Sequence, residues 1–512
     1  MSATSSTASL RLGGRRRLTS TTAHVTGIAL VLVPSGMALS GLVGWFDAGP
    51  DRGTDVWACM ASAVLSGAVG VALWMTSRLP QRQLPSVAFR AVTVSWIAVS
   101  VAGALPFLFS GLIDWAHIDD ALFESISGFT CTGSTILDDI DSAPSGVMFF
   151  RQLTQWFGGM GLIVLAVAVM PTLKVGGLEL IAAEAPGPAP DRLTPRVQET
   201  AKRLWMLYAG LTAAIALALM VFARMGLYDA LAHAFTAAAT GGFSNHQASV
   251  AYFDSAMVEA ILVVGMLVAG ANFTLHWQAL NGDWKVYSRV SEFRIYVGLF
   301  VGAVVLATAL NVDLGASLVH TFRDATFNVA SLMTSTGFGT VDFTLWGPAS
   351  QVLLMLLMIP CAMTGSTSGG MKVLRLEVMA KYAIREISRA RHPRAISPLR
   401  LGPVVVGEDI VARTMGFVLL YLTATLVGGA LVTAAGTDPV SGFSAAITAA
   451  GGIGPGLGDA GPAHTFLDLP RLGRPVLMFL MLFGRLEVFP VIISIGAVLG
   501  MSRRATARVA GR

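Results

Sequence analysis

Four stretches of the chain end in small, uncharged residues: FESISGFTCTGST (123–135), AHAFTAAATGGFS (232–244), TFNVASLMTSTGFGT (326–340) and GFSAAITAAGGIGPG (442–456). Aligned on one glycine each, their ends read Cys131-Thr132-Gly133, Ala239-Thr240-Gly241, Ser335-Thr336-Gly337 and Gly452-Ile453-Gly454, with separations of 108, 96 and 117 residues. The chemistry such residues offer is that of the peptide backbone. Glycine reaches φ values that bulkier residues resist, so carbonyl oxygens can be turned into a shared cavity. A ring of carbonyls can replace the hydration shell of a potassium ion. Thr132, Gly133, Thr240, Gly241, Thr336, Gly337, Ile453 and Gly454 are therefore the candidate ion filter. The alternative is a set of small-residue seams between helices. Packing alone does not require small runs at four equivalent loop positions.

Such loops need a particular frame. Each follows a short, mostly apolar segment that cannot cross a bilayer but can enter one as a helix. The partly negative C-terminus of such a helix favours a cation. Non-helical backbone at membrane depth is tolerated where it is buried in protein or lines a watery cavity. The unit of span, short re-entrant helix, small-residue loop and span recurs four times, and repetition is the most informative pattern in the chain.

Composition agrees with a membrane frame. The chain has 512 residues, 54% hydrophobic and 13% charged, with mean hydropathy +0.67. Soluble domains carry about 25% charged residues. Apolar runs near 23–46, 57–77, 91–113, 152–173, 204–223, 256–280, 295–312, 350–371, 414–437 and 475–500 give ten candidate spanning helices. Each approaches the ~20 residues needed to cross the hydrocarbon core. The run from Ala23 to Phe46 follows Arg15, Arg16 and Arg17 and is read as a retained first span. The expected class is an all-α polytopic membrane protein with two helices ahead of four repeats. The boundaries are 1–22 for a tail, 23–86 for the two helices, and 87–173, 174–280, 281–382 and 383–512 for the repeats.

Charge orients the chain. Of the 35 Lys and Arg residues, 28 fall in the segments 1–20, 78–90, 174–203, 285–294, 372–413 and 503–512. Arg52, Arg151, Arg224, Arg323, Arg471 and Arg474 lie in the intervening connections. By the positive-inside rule both termini are cytoplasmic. The basic loop 372–413 is read either as a contact for anionic membrane lipids or as a docking surface for a cytosolic partner. Asp114, Asp119, Asp120, Glu124, Asp138, Asp139 and Asp141 crowd one outside connection. They are read as ordinary loop solubility or as a vestibule that concentrates cations. Cys59, Cys131 and Cys361 sit in or beside apolar runs and are expected to be buried and unbridged.

Two features lie below the proposed filter. The eighth span is interrupted by PCAMTGSTSGGMK (360–372). Gly365, Ser366, Thr367, Ser368, Gly369 and Gly370 cannot sustain a helix in lipid, and the break is expected to form a gating loop or a static kink. Arg485 is the one Lys or Arg inside a span, and a charge at that depth faces water or a partner. Glu259 and Glu487 are the carboxylates considered for it, and Lys372 is read as a loop anchor or as snorkelling to the interface.

Together these motifs resemble the Trk/Ktr/HKT potassium-transport superfamily, specifically its bacterial TrkH/TrkG branch. The resemblance covers residues 20–500. It is carried by SGFTCTGSTIL, QWFGGMGLIVLAVAVMP, AAEAPGPAPDRLTPRVQETAKRLW, ATGGFS, SEFRIY, TSTGFGT, TGSTSGGMKVLRLE, GIGPGLG and GRLEVFPVII. It implies four helix–pore-helix–helix units around a pseudo-fourfold pore. It also implies potassium uptake across the bacterial cytoplasmic membrane, a homodimer, and a cytosolic TrkA-type ring of nucleotide-binding subunits. An arginine in the position of Arg485 would then project into the conduction path as part of the gate. Glycine at 133 implies potassium preference. Gly451 and Gly452 depart from the family pattern and predict a looser fourth edge of the filter. Proton- or sodium-coupled symport is the alternative mechanism.

An enzyme is not expected. The eight histidines are scattered, and no HExxH, GxSxG or Walker A motif occurs. No covalent cofactor is anticipated. Nucleotide is expected on the partner alone, and the net charge of +5 follows membrane orientation and implies no nucleic acid.

Overall fold

The computed structural model describes residues 18–46, 52–79, 85–169, 197–312, 317–392, 398–402 and 404–486. The tails at 1–17 and 503–512, the basic segment 174–196, the repeat boundary at 173/174, and Glu487 lie outside the described residues.

The described chain is helical. The helices are α1 (Thr21–Phe46), α2 (Arg52–Thr76), α3 (Pro85–Phe109), α4 (Ile118–Phe129), α5 (Ser145–Val169) and α6 (Val197–Val221). Next come α7 (Leu227–Ala238), α8 (Ala256–Ala269), α9 (Phe273–Leu280), α10 (Val286–Arg289), α11 (Ser291–Asn311) and α12 (Leu318–Met333). The last are α13 (Pro348–Leu357), α14 (Val373–Arg391), α15 (Glu408–Ala434), α16 (Pro439–Gly451) and α17 (Arg474–Arg485). Two pairs of two-residue strands, Leu18–Thr19 with Ser77–Arg78 and Arg400–Leu401 with Val404–Val405, are the only sheet among the described residues.

Six described helices are long and apolar enough to cross a membrane: 21–46, 53–76, 89–109, 201–221, 291–311 and 408–434. Helix α5 corresponds to the predicted run 152–173, and α17 is the described part of the run 475–500. The predicted span 256–280 is not one straight helix. It is the pair α8–α9, bent by 99°. The bend has a local cause: the Asn272 side chain caps α9 by accepting from Thr274 N at 2.8 Å. The freed backbone bonds to the interrupted eighth span, with Met363 N on Gly270 O at 3.0 Å and Phe273 N on Gly365 O at 3.1 Å. The predicted span 350–371 is broken as expected, into α13, an irregular stretch and α14.

Helices α4, α7, α12 and α16 have 12, 12, 16 and 13 residues. At 1.5 Å per residue a 12-residue helix is about 18 Å long, too short for a ~30 Å hydrocarbon core. Their starts are fixed by sequence. Asp438 accepts from Val440 N and Ser441 N at 2.9 and 3.2 Å, with Pro439 in the first turn. Ser317 accepts from His320 N at 3.4 Å.

Glycines let the long helices touch. A Cβ on Gly27 would lie 2.6 Å from Trp74 N, and one on Gly70 would lie 2.9 Å from the Leu30 carbonyl carbon, so α1 and α2 pack backbone to backbone. One buried cluster joins Phe107, Phe123 and Phe150 to Phe417, Leu477 and Phe483. The beginning and end of the described chain therefore share a core. Leu32, Leu42, Val64, Leu65, Leu419 and Leu426 remain exposed, an apolar exterior suited to lipid tails. All three cysteines are buried and free.

Candidate cation site

The four short helices end in the same way. Thr132 N donates to Ser127 O (2.9 Å), Gly241 N to Thr236 O (2.8 Å), Thr336 N to Ser331 O (2.8 Å) and Ile453 N to Thr448 O (3.0 Å). The residue before each donor has positive φ: Cys131 at 57°, Thr240 at 51°, Ser335 at 56° and Gly452 at 65°. This left-handed residue ends each helix and lets the chain leave as a loop. The residue after each donor is a glycine with positive φ: Gly133 at 83°, Gly242 at 79°, Gly337 at 87° and Gly454 at 100°.

This register corrects the alignment of the second loop. Gly242, not Gly241, is the counterpart of Gly133, Gly337 and Gly454. Gly241 corresponds to Thr132, Thr336 and Ile453, and Thr240 to Cys131, Ser335 and Gly452. Sequence alone offered two adjacent glycines, and the sign of φ chooses between them.

The loops meet edge to edge. A Cβ placed on Gly133 would strike Gly241 O, one on Gly242 would strike Thr336 O, and one on Gly337 would strike Ile453 O. One on Gly454 would lie 2.9 Å from Thr132 O. These approaches run from the first loop to the second, third and fourth and back to the first. Four carbonyl oxygens, of Thr132, Gly241, Thr336 and Ile453, thus share one layer.

A cavity of ≈480 Å³ opens onto all four of those glycines. Its carboxylates are Asp141 and Asp342, and His246 and His464 share its wall. Most of the predicted acidic vestibule is elsewhere. Glu124 is fully buried and pairs with Arg151 Nε at 2.6 Å. It also accepts from Thr135 Oγ1 (3.0 Å) and Ile136 N (3.0 Å). Arg151 continues to Ser244 O at 2.8 Å and stacks over the Phe243 ring at 3.5 Å. This pair ties the first loop to the second from behind. Asp120 pairs with Arg474, joining α4 to α17. Neither pairing was visible as sequence proximity, since the partners are 27 and 354 residues apart.

The expected looser fourth loop has its own brace. Ser444 Oγ donates to Leu457 O at 3.0 Å and accepts from Leu457 N at 2.9 Å. Gly452 takes the left-handed position that Cys131, Thr240 and Ser335 take elsewhere.

The break in the eighth span lies against the helix ends of three loops. Ser368 Oγ is 2.6 Å from Ser335 Oγ, and Thr367 Oγ1 is 3.3 Å from Thr240 Oγ1. Thr367 Oγ1 also donates to Ala238 O at 3.0 Å. A Cβ on Gly369 would lie 2.9 Å from Gly451 O. Gly370, with φ of 75°, leaves no room for a Cβ against Cys361 Sγ at 2.5 Å. Gly365, with φ of 78°, faces Asn272. Ser366 Oγ donates to Met363 O at 2.6 Å and accepts from Lys372 Nζ at 3.3 Å. Lys372 also donates to Ser368 O and is 9% exposed, so it is folded onto the loop rather than snorkelling.

Arg485 differs from expectation in its partners. Its Nη1 donates to Thr367 O at 2.6 Å and its Nη2 to Gly158 O at 2.7 Å. No described carboxylate pairs with it. Glu259 is committed instead to Arg323, through two bonds of 2.7 Å that join α8 to α12. Arg485 therefore ties the interrupted span to α5 through backbone carbonyls. A guanidinium with its five donors suits that task.

Many apolar helices, with four short helices and backbone carbonyls gathered among them, define a polytopic α-helical membrane protein. Residues 57–499 match the TrkH family model, described as cation transport protein. The chain belongs to that family, which is a family of transporters and not of enzymes. It is 39% identical over 476 residues to the Trk system potassium uptake protein TrkH of Salmonella typhimurium, covering 92% of this chain and 97% of that one. It is 33% identical over 434 residues to the Trk system potassium uptake protein TrkG of Escherichia coli, covering 83% and 88%. The crystal structure of the potassium transporter TrkH from Vibrio parahaemolyticus superposes with a TM-score of 0.82 at 34% identity, over 92% of this chain and 97% of that one.

Proposed function

We propose that the protein takes up potassium across the bacterial cytoplasmic membrane through a filter formed by its four loops. The closed circuit in which each loop glycine abuts the next loop's carbonyl carries this reading. Carbonyls in one layer supply the oxygens that a potassium ion loses with its hydration shell. Each short helix points its C-terminus at that layer and adds a partial negative charge. In this reading Thr132, Gly241, Thr336 and Ile453 donate carbonyls, and Gly133, Gly242, Gly337 and Gly454 let neighbouring loops approach. Cys131, Thr240, Ser335 and Gly452 end the helices below. The four units then surround a pseudo-fourfold axis, with α1 and α2 outside it.

Residues 365–370 act as the gate, with Arg485 as its latch. The hydrogen bonds of Ser368, Thr367 and Arg485 hold the loop against the underside of the filter in this conformation. A cytosolic nucleotide-binding ring and a second copy of the chain complete the assembly, with both termini cytoplasmic. The names of the relatives support the uptake of potassium, and the charge asymmetry supports the cytoplasmic termini.

Flux in liposomes tests the proposal. Purified protein is expected to pass potassium down its own gradient with no proton or sodium gradient imposed. Flux that appears only with such a gradient would replace conduction by coupled transport.

A further inference from the structure

One carbonyl of the filter layer is held differently from the other three. Gln155 on α5 is fully buried, and its Nε2 donates to Gly241 O at 2.6 Å. Its Oε1 accepts from Phe243 N at 3.0 Å. The carboxamide thus grips the second loop on both sides of Gly242. Among the described residues, no side chain donates to the carbonyl of Thr132, Thr336 or Ile453.

The reason lies in the register. In the first and third loops the carbonyl-bearing residue is a threonine braced within its own loop. Thr132 Oγ1 is 2.8 Å from Thr130 Oγ1, and Thr336 Oγ1 is 2.7 Å from Thr334 Oγ1. In the second loop the corresponding residues are Gly241 and Ala239, which have no hydroxyl. The space where a Gly241 side chain would begin is filled by Gln155: a Cβ built there would strike its Cδ and Oε1. Helix α5 therefore supplies in trans the brace that two other loops supply for themselves.

We propose that Gln155 is a specificity-determining positioning residue, which fixes the Gly241 carbonyl in the filter layer and so sets which alkali cation that layer fits. This inference rests on the filter reading above. A filter discriminates by how far its oxygens stand from the ion, so one loosened carbonyl weakens discrimination before it stops conduction. Unbraced, the Gly241 carbonyl has neither a side chain of its own residue nor a hydrogen bond to hold it, and glycine gives it the widest conformational choice.

The test is the potassium-to-sodium permeability ratio of full-length protein in liposomes, read from reversal potentials. Gln155→Leu removes both hydrogen bonds at similar volume and is expected to lower the ratio about five- to tenfold while flux persists, the scale of one or two lost hydrogen bonds. Gly241→Ser alone is expected to lower it as well, because the new side chain collides with Gln155. Combining Gly241→Ser with Gln155→Ala relieves the collision but leaves the carbonyl unbraced, so the double variant is expected to match Gln155→Ala alone to within about twofold, a non-additivity characteristic of residues in contact. A merely structural role would reduce flux or yield and leave the ratio alone. A wild-type ratio in Gln155→Leu overturns the inference. If Gln155→Leu does not fold, a wild-type ratio in folded Gln155→Ala overturns it instead. A wild type without potassium preference removes the filter reading and this inference together. A potassium-selective wild type with an unaltered Gln155→Leu removes this inference alone.

Discussion

Ser368 Oγ lies 2.6 Å from Ser335 Oγ, where the interrupted eighth span meets the left-handed end of the third short helix. Both residues are buried. Two hydroxyls from segments 33 residues apart thus join the proposed gate directly to the base of the proposed filter. Breaking that bond should loosen the gate without touching a filter carbonyl. Ser368→Ala is expected to raise potassium flux in the absence of any partner by about fivefold, the scale of one net hydrogen bond near 1 kcal/mol. Fluorescent potassium indicators inside liposomes would register it, and unchanged flux would show that the contact holds nothing closed.

Arg485 should matter more, because it makes two such bonds, to Thr367 O and Gly158 O. Arg485→Ala is expected to raise basal flux further than Ser368→Ala. Arg485→Lys keeps the charge but loses the planar fork that spans both carbonyls, so it is expected to fall between wild type and Arg485→Ala. If Lys restored wild-type closure, charge alone would be the barrier and the two-carbonyl latch would be wrong.

The corrected register of the second loop predicts unequal effects at adjacent glycines. At Gly242, with φ of 79°, a side chain is strained and would meet the Thr336 carbonyl of the next loop. At Gly241, whose φ is not positive, it would meet one side chain, Gln155, before any backbone of a neighbouring loop. Gly242→Ala is therefore expected to impair potassium selectivity more than Gly241→Ala. The reverse order in matched reversal-potential measurements would restore the alignment on Gly241.

Arg151 and Glu124 are both buried and satisfied. Arg151→Met leaves a carboxylate without its counter-charge and is expected to cost about 3–5 kcal/mol. Adding Glu124→Gln removes the stranded charge and should recover part of that loss. Thermal unfolding in detergent would measure both. A double variant no more stable than Arg151→Met would show that the pair's electrostatics are not what holds the two loops together.

Much of this arrangement can be read from sequence. The four small-residue ends and the interruption at 360–372 stand out because lipid-embedded backbone is otherwise helical. The register of ATGGFS does not stand out, because two adjacent glycines fit the pattern equally until helix-end hydrogen bonds and φ are known. The bend at 270–272 is hidden too. Gly270, Ala271 and Asn272 sit in an apolar run that reads as one span, and the bend depends on bonds to Met363 and Gly365. Glu124 and Arg151 look like loop charges, since burial and pairing depend on α4 and α5 coming together. Gln155 leaves the faintest trace: one of two amides in an apolar helix, whose meaning depends on a missing side chain 86 residues away.

The most direct test of the filter is the reversal potential of Gly337→Ser beside wild type, under opposed potassium and sodium gradients. A side chain at Gly337 would strike the Ile453 carbonyl, one of the four in the layer. The expected result is a potassium-selective wild type and a folded Gly337→Ser protein whose reversal potential shifts toward that of an unselective cation pathway. Identical, potassium-selective reversal potentials in the two proteins would contradict a filter built from these four loops.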